Sequence, residues 1–272
     1  MELYYLNSEG EKLDFTKPPY VPRDISELLD YEWGYESEGS GITGFTKEIA
    51  ELSLVINVFA DDEETYLKAC DRLFTITEKD VIKNAKGRLY YNGQYVLCNL
   101  IGSTKKDWCM GVDFHLCYMR LITDRPVWIK EKEYIFKYSN ITSTNNKNYP
   151  LKYPYRYANG MKIVNVQNDA IDSAHFMLRF YGPAVNPMIT IAGNPYTVHA
   201  VVEAGEHIEI NSLKKTVIKK MVTGTEVNLF HYKGKNLFRK ILPGQHVVQC
   251  GNFDFDLILF EERSEPRWQS QG

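Results

Sequence analysis

The side chains with chemistry in them are few and scattered. Asp254 and Asp256 stand two apart in Phe253-Asp-Phe-Asp-Leu257. On a strand they share a face about 7 Å apart, and paired carboxylates can divide the acid and base work of glycoside hydrolysis. Phenylalanines alternate with them, however, which is also how a strand with one solvated face reads, and that is the reading taken. Cys109, His115 and Cys117 come nearest to a metal cluster. His-x-Cys projects from one side of a strand, but no C-x-x-C and no fourth ligand joins the three, and closed zinc sites take four. Gly39-Ser-Gly-Ile-Thr-Gly44 spells G-x-G-x-x-G. A dinucleotide site needs a strand before that string and a helix directly after it. Here an acidic loop precedes and a period-two stretch follows, and Glu36, Glu38 and Glu48 would repel phosphate, so these are loop glycines. The chain has no G-x-S-x-G elbow, P-loop or H-E-x-x-H. No catalytic, cofactor-binding or metal-ligating residue is assigned, and no enzyme activity is expected.

Two groups point to binding rather than reaction. Lys214, Lys215, Lys219, Lys220, Lys233, Lys235, Arg239 and Lys240 interleave with Phe230, Tyr232 and Phe238, and nucleic-acid bases stack on such aromatics. The basic residues span several strands and turns, so a solvated surface or a docking face for an acidic neighbour is the better account. Tyr153, Tyr155 and Tyr157 could form a sugar platform. That would suit a stand-alone carbohydrate-binding β-sandwich protein, the alternative reading of this chain.

The elements that carry these residues are mostly strands. Leu52, Leu54, Ile56 and Val58 alternate with other residues, as do Phe176, Leu178 and Phe180, and then Phe253, Phe255, Leu257 and Leu259. Turn pairs such as Asn92-Gly93, Asn159-Gly160 and Lys233-Gly234 divide the runs, a spacing that favours β-sandwiches. One segment differs. Tyr66, Leu67, Cys70, Leu73 and Phe74 recur at three and four residues, predicting an amphipathic helix over about 61–79 with that stripe inward and an acidic first turn, Asp61–Glu64. Residues 16–44, rich in Pro, Gly and acids without a steady period, read as a long loop or arm, of the kind that often contacts a partner. Residues 139–160 read as a polar linker.

Charge divides the chain. The 272 residues carry 32 basic and 35 acidic side chains, net −3. Positions 1–124 hold 13 basic against 22 acidic residues, and positions 125–272 hold 19 against 13. A near-neutral total argues against a dedicated nucleic-acid binder, while the split points to two domains. Five irregularly spaced cysteines make no disulfide framework and fit a reducing compartment. The first residues show no secretory signal, and no apolar run is long enough to span a membrane.

Several stretches in order resemble the distal tail proteins of long-tailed bacteriophages and related phage-tail-like particles. They are Leu3-Tyr-Tyr-Leu-Asn-Ser-Glu-Gly-Glu-Lys-Leu-Asp-Phe15, the acidic helix ending Glu78-Lys-Asp80, Gly87-Arg-Leu-Tyr-Tyr-Asn-Gly-Gln-Tyr95, and Arg125-Pro-Val-Trp128. Phe180-Tyr-Gly-Pro-Ala-Val-Asn-Pro-Met-Ile189, Gly205-Glu-His-Ile-Glu-Ile210, Leu242-Pro-Gly244 and Glu262-Arg-Ser-Glu-Pro-Arg-Trp268 complete the series. The family usually has Asp-Thr after the Gly205–Ile210 stretch; Asn211-Ser212 keeps the turn chemistry and drops a charge.

The resemblance implies a mainly β chain with one amphipathic helix and two domains. Residues 1–128 would be an α+β ring-forming domain with the helix and an extended arm at about 16–44, rejoined by 263–272. Residues 129–262 would be a galectin-like antiparallel β-sandwich. It also implies a structural role: a virion hub in the tail tip or baseplate, homo-oligomeric and typically hexameric, made and assembled in the bacterial host cytoplasm. The tail tube, a tail-associated protein and receptor-binding proteins would be its partners, with DNA only passing through and no membrane involved. A galectin-like fold does not by itself imply sugar binding.

Overall fold

The computed structural model describes residues 1–138 and 163–268. The chain divides into two compact units, residues 1–130 with 263–272, and residues 131–262.

The first unit begins with β1 (Leu3–Leu6), β2 (Lys12–Asp14), β3 (Tyr20–Asp24), the one-turn α1 (Ser26–Leu29), β4 (Gly34–Glu38), β5 (Gly41–Thr46) and β6 (Ala50–Phe59). The long α2 (Glu63–Ile82), β7 (Gly87–Tyr91), β8 (Gln94–Lys106), β9 (Phe114–Thr123) and the start of β10 (Trp128–Phe136) follow. β8 serves two antiparallel sheets. Gln94–Cys98 pairs with β7, in the order β10-β8-β7-β1-β2, and Asn99–Lys106 pairs with β9, in the order β8-β9-β6-β3. Alternation is why these stretches become strands: Leu3, Tyr5, Leu54, Ile56 and Val58 are all buried in one core.

α2 crosses that core. Asp62 caps it, accepting from the Thr65 amide and the Thr65 hydroxyl, both at 2.8 Å, and Glu63 and Glu64 follow in the first turn. The helix thus begins two residues after the predicted start and runs three beyond the predicted end. Its inward stripe differs too. Tyr66, Ala69, Leu73, Ile76 and Asp80 are buried, while Leu67 and Phe74 are exposed and Cys70 is half-buried. Two adjacent apolar stripes compete on this helix, and Asp80 decides between them. Fully buried, it accepts from the Tyr5 hydroxyl at 2.5 Å and the Ser8 amide at 2.9 Å. Burial first, and then the bond to Asp80, push the Tyr5 hydroxyl's pKa up, so it remains a proton donor. Gly87 lets the three groups meet: a Cβ there would come within 2.0 Å of Tyr5 Oη and 2.6 Å of Asp80 Oδ2.

Residues 16–44 are not one irregular arm. Tyr20 and Leu28 are core residues, and β3 pairs with β6 through a bulge at Pro22–Asp24. Prolines 18, 19 and 22 hide this period in the sequence. Beyond α1 the chain forms the β4–β5 hairpin around the two-residue turn Gly39-Ser40.

The second unit is an antiparallel sandwich. One sheet runs β19 (Glu226–Asn228), β18 (Thr216–Lys220), β17 (His207–Asn211), β12 (His175–Tyr181), β21 (Phe255–Arg263) and the rest of β10. The other runs β11 (Ile163–Asn168), β20 (Gly244–Cys250), β14 (Met188–Ile191) and β15 (Asn194–Thr197). A small pair, β13 (Ala184–Val185) with β16 (Val201–Val202), lies beside them. Phe176, Leu178, Phe180, Ile208, Ile210 and Leu257 from the first sheet meet Ile189, Ile191 and Val248 from the second in one core. Asn211 turns the chain by accepting from the Leu213 and Lys214 amides, and Ser212 Oγ accepts from the Phe176 amide at 2.7 Å. Gly182 serves close approach here, since a Cβ would lie 1.9 Å from the Glu203 carbonyl oxygen. Among the described residues no helix is long and apolar enough to cross a membrane.

Two predictions follow from this packing. Asp80→Ala leaves the Tyr5 hydroxyl and the Ser8 amide without their acceptor, and should cost about 2–4 kcal/mol. Gly87→Ala should be at least as damaging, and urea unfolding of the transition assigned to the first unit reads both. The thiols form the second test. Cys109 is exposed, Cys70 half-buried, and Cys98, Cys117 and Cys250 buried. Burial pushes Cys98 up to about 12. A thiol reagent at neutral pH should therefore modify Cys109 first and Cys70 more slowly, and reach the other three only on unfolding.

Candidate interaction surfaces

The structure separates the groups that looked reactive and ties each into the fold. Asp256 is not on a solvated strand face: it is buried in β21, where its Oδ2 accepts from the Tyr181 hydroxyl at 2.5 Å. Asp254, just before β21, accepts from the Tyr138 amide at 2.5 Å and is half-buried. The two carboxylates thus hold different partners. His115 and Cys117 do lie on one side of β9, facing the core, but Cys109 is exposed in the β8–β9 loop. The described residues hold no group of three or more metal-ligating side chains. The Gly39–Gly44 string is the turn and second strand of the β4–β5 hairpin, with no helix following. Tyr153, Tyr155 and Tyr157 lie outside the described residues.

The lysine cluster is divided as well. Lys219 and Lys220 are neighbours on β18 and so face opposite ways. Lys219 pairs with the buried Glu206 at 2.6 Å and donates to the Val201 carbonyl at 3.0 Å, while Lys220 pairs with Glu226 at 3.5 Å. Lys233 sits 5.1 Å over the Phe230 ring. These contacts make local supports, not a continuous groove for a polyanion.

The larger unsatisfied surfaces are apolar, and two of them lie in the first unit. One is the β4–β5 hairpin. Tyr35 stands opposite Phe45, and Ser37 opposite Ile42 beyond a bulge, so Tyr35, Ile42 and Phe45 share a face. They are 68%, 61% and 65% exposed. Glu36 and Glu38 occupy the other face, and the hairpin pairs with no further strand among the described residues. An isolated two-stranded hairpin is marginal in water, so an exposed apolar face on one is a liability unless something covers it. The alternation is hidden in the sequence because the bulge and four glycines interrupt it.

The other surface is the outward stripe of α2, Leu67, Phe74 and Val81, at seven-residue spacing. Beside it a groove of about 270 Å³ opens between α2 and the β8–β9 sheet, walled by Phe74, Val81, Ile101 and Met119. His115 and Glu78 line it as well. His115 Nδ1 is 2.7 Å from the Tyr66 hydroxyl. Burial first, then Lys105, lowers the imidazole's pKa, so it is neutral at neutral pH. Neither His115 Nε2 nor Glu78 Oε2, both buried, has a hydrogen-bond partner among the described residues. A second groove, of about 530 Å³, lies where Glu27, Asp30, Glu32, Glu48 and Glu51 surround Leu28 and Trp128.

No protein-family model and no curated protein matches the chain in sequence. Solved structures do match in fold. The Dit (gp 19.1) protein of SPP1, described as a paradigm of the hub adsorption apparatus in phages infecting Gram-positive bacteria, aligns over 97% of this chain and 100% of its own, with TM-score 0.58 and 12% identity. A chain of the phage p2 baseplate in its activated conformation with Sr aligns over 97% of this chain and 99% of its own, with TM-score 0.60 and 13% identity. A chain of the phage P2 baseplate in the same conformation with Ca aligns over 98% and 100%, with TM-score 0.59 and 14% identity. Two β-rich units, one bearing a long helix and the other a sandwich, match these chains almost from end to end, and the fold of this protein is that of the phage distal tail, or hub, proteins.

Proposed function

We propose that this chain is a non-enzymatic structural component of a phage tail tip or baseplate, assembling as a ring, a hexamer, that joins the tail tube to tail-associated and receptor-binding proteins. The observation that carries the reading is the end-to-end likeness to hub chains, at 97–98% of this chain's length. The surfaces support it. The chemically suggestive side chains are bound into the fold, while the first unit exposes apolar faces of the sort that close in an assembly. In this reading residues 1–128 are the ring-forming part, and residues 129–262 are a galectin-like sandwich. The working part of the 16–44 arm is the β4–β5 hairpin, which reaches a neighbouring subunit. The protein belongs to the virion and is made and assembled in the host cytoplasm.

Residues 1–64 hold 16 acidic and 4 basic side chains. In the ring, part of that charge lines the channel, where like charge keeps passing DNA from sticking. Light scattering after size separation at micromolar concentration should give several times the mass of one 31.5 kDa chain, and negative stain should show rings with a hole wide enough for duplex DNA. A strict monomer without rings would overturn the proposal, and saturable binding of the monomer to a glycan array would favour a carbohydrate-binding protein instead.

A further inference from the structure

The two sheets of the sandwich turn chemically different faces away from the core. On the larger sheet the outward side chains are charged and engaged with one another. Arg179 pairs with Glu209 at 3.2 Å, Lys220 with Glu226 at 3.5 Å, and Asp256 accepts from the Tyr181 hydroxyl. On the smaller sheet, β11-β20-β14-β15, Val166, Val248, Ile189 and Tyr196 are buried, so the alternate residues point outward. None of those described outward residues is charged, in a chain that is 25% charged. Asn165, Gln167, Thr190, Thr197, Gln245 and Gln249 carry amides or hydroxyls, and the remainder are apolar. The register sets Gln167 opposite Gln245 and Gln249 opposite Thr190.

At one end this face runs into a groove of about 580 Å³. Gln249 and Thr190 reach it from the sheet, and Asn186 and Asn252 from the neighbouring loops. Gln249, Asn186 and Asn252 are exposed, and none of the four side chains has a hydrogen-bond partner among the described residues. Phe253 forms part of the wall, half-buried, with its ring held edge-on to Phe180 at 5.4 Å. Gly251 keeps that ring approachable, since a Cβ there would lie 3.2 Å from Phe253 Cε1.

We propose that this groove and the adjoining sheet face bind an uncharged carbohydrate chain. Sugar hydroxyls each donate and accept, and the amides of Asn and Gln do both within one planar group. The apolar C–H faces of a sugar pack against Phe253 and Met188, which also lines the groove. The neutrality of the face selects among ligands. A phosphate, sulfate or carboxylate would lose hydration with no cation on the described part of this face to receive it. A protein partner fits less well, because Trp, Tyr and Arg, the side chains that anchor protein interfaces, are missing from the same face. The sandwich fold alone implies no sugar binding; the neutral, unengaged amides do. The inference stands apart from the ring reading, although repeating a weak site around a ring would raise its avidity.

A glycan array probed with the full-length protein tests this. Neutral oligosaccharides of glucose, galactose, mannose, rhamnose and N-acetylhexosamines form one set, and matched chains bearing sialic acid, sulfate or phosphate form the other. Saturable binding should be confined to the neutral set, and calorimetric titration with the strongest binder should give a Kd of about 1 mM or tighter. Gln249→Glu, which keeps the shape and adds a charge, and Asn252→Ala should each weaken that binding about tenfold. Both side chains are exposed, so thermal melts of the variants should match wild type. No saturable binding to the neutral set, stronger binding to the charged set, or binding that both substitutions leave unchanged would overturn the inference. Light scattering on the same samples separates the two readings. Rings that bind no neutral glycan leave the hub reading standing, and a monomer that binds through Gln249 and Asn252 overturns the hub reading while supporting this one.

Discussion

The first unit is organised by one buried carboxylate. Asp80 lies in the last turns of α2 with no exposed surface, held by the Tyr5 hydroxyl and the Ser8 amide. A buried acid is tolerated only when hydrogen-bonded, so these two bonds pin the end of the helix to β1 and the turn after it. Lys79 pairing with Glu11 at 2.7 Å, and Lys83 with Glu9, brace the same turn from the solvent side. Exposed pairs of this kind add little energy. What they reinforce is the rotation of the helix about its axis. With Asp80 inward, Ile76, Leu73, Ala69 and Tyr66 must also be inward. Leu67, Phe74 and Val81, one residue later and about 100° further round, must then be outward.

That rotation explains what was legible in the sequence and what was not. The helix itself was visible, because apolar residues at three- and four-residue spacing leave no competing strand period. Its inward face was not. Leu67 and Phe74 carry more hydrophobicity than Ala69, and Asp80 looks like a surface residue until Tyr5, 75 positions away, is known to face it. The strands of the sandwich were clear for the opposite reason: Phe176, Leu178, Phe180, Ile208 and Ile210 each sit in one core, and nothing on the alternate positions contradicts them. Residues 16–44 were illegible because prolines and a bulge break the alternation of β3, and glycines and a second bulge break that of the hairpin.

The failures of the chemical motifs share one cause. Each motif was a spacing along one strand or loop, and the polar side chains that became engaged found their partners on other elements instead. Asp256 found Tyr181 on the neighbouring strand, His115 found Tyr66 on the helix, and Lys219 found Glu206 beside β17. A sheet brings residues far apart in sequence within bonding distance, so a polar pair two positions apart on one strand is usually engaged sideways. The resemblance rested on the order of many weak stretches along the whole chain, which survives where identity to solved hub chains is 12–14%.

The charge asymmetry takes on a more specific meaning from these placements. The acidic surplus of the first 64 residues does not lie in one patch. Glu9 and Glu11 are used up against the end of α2, and Asp62 caps the start of that helix. Much of the rest is concentrated around the hairpin and the acidic groove at its base: Glu27, Asp30, Glu32, Glu36, Glu38 and Glu48, with Glu51 beside them paired to Arg120 at 3.7 Å. Placed there, the charge discourages hairpins from packing against one another through their apolar faces, since like charges brought together repel. An apolar face with acids behind it and around its base is thus selective: it resists meeting its own copy and favours a surface of another kind.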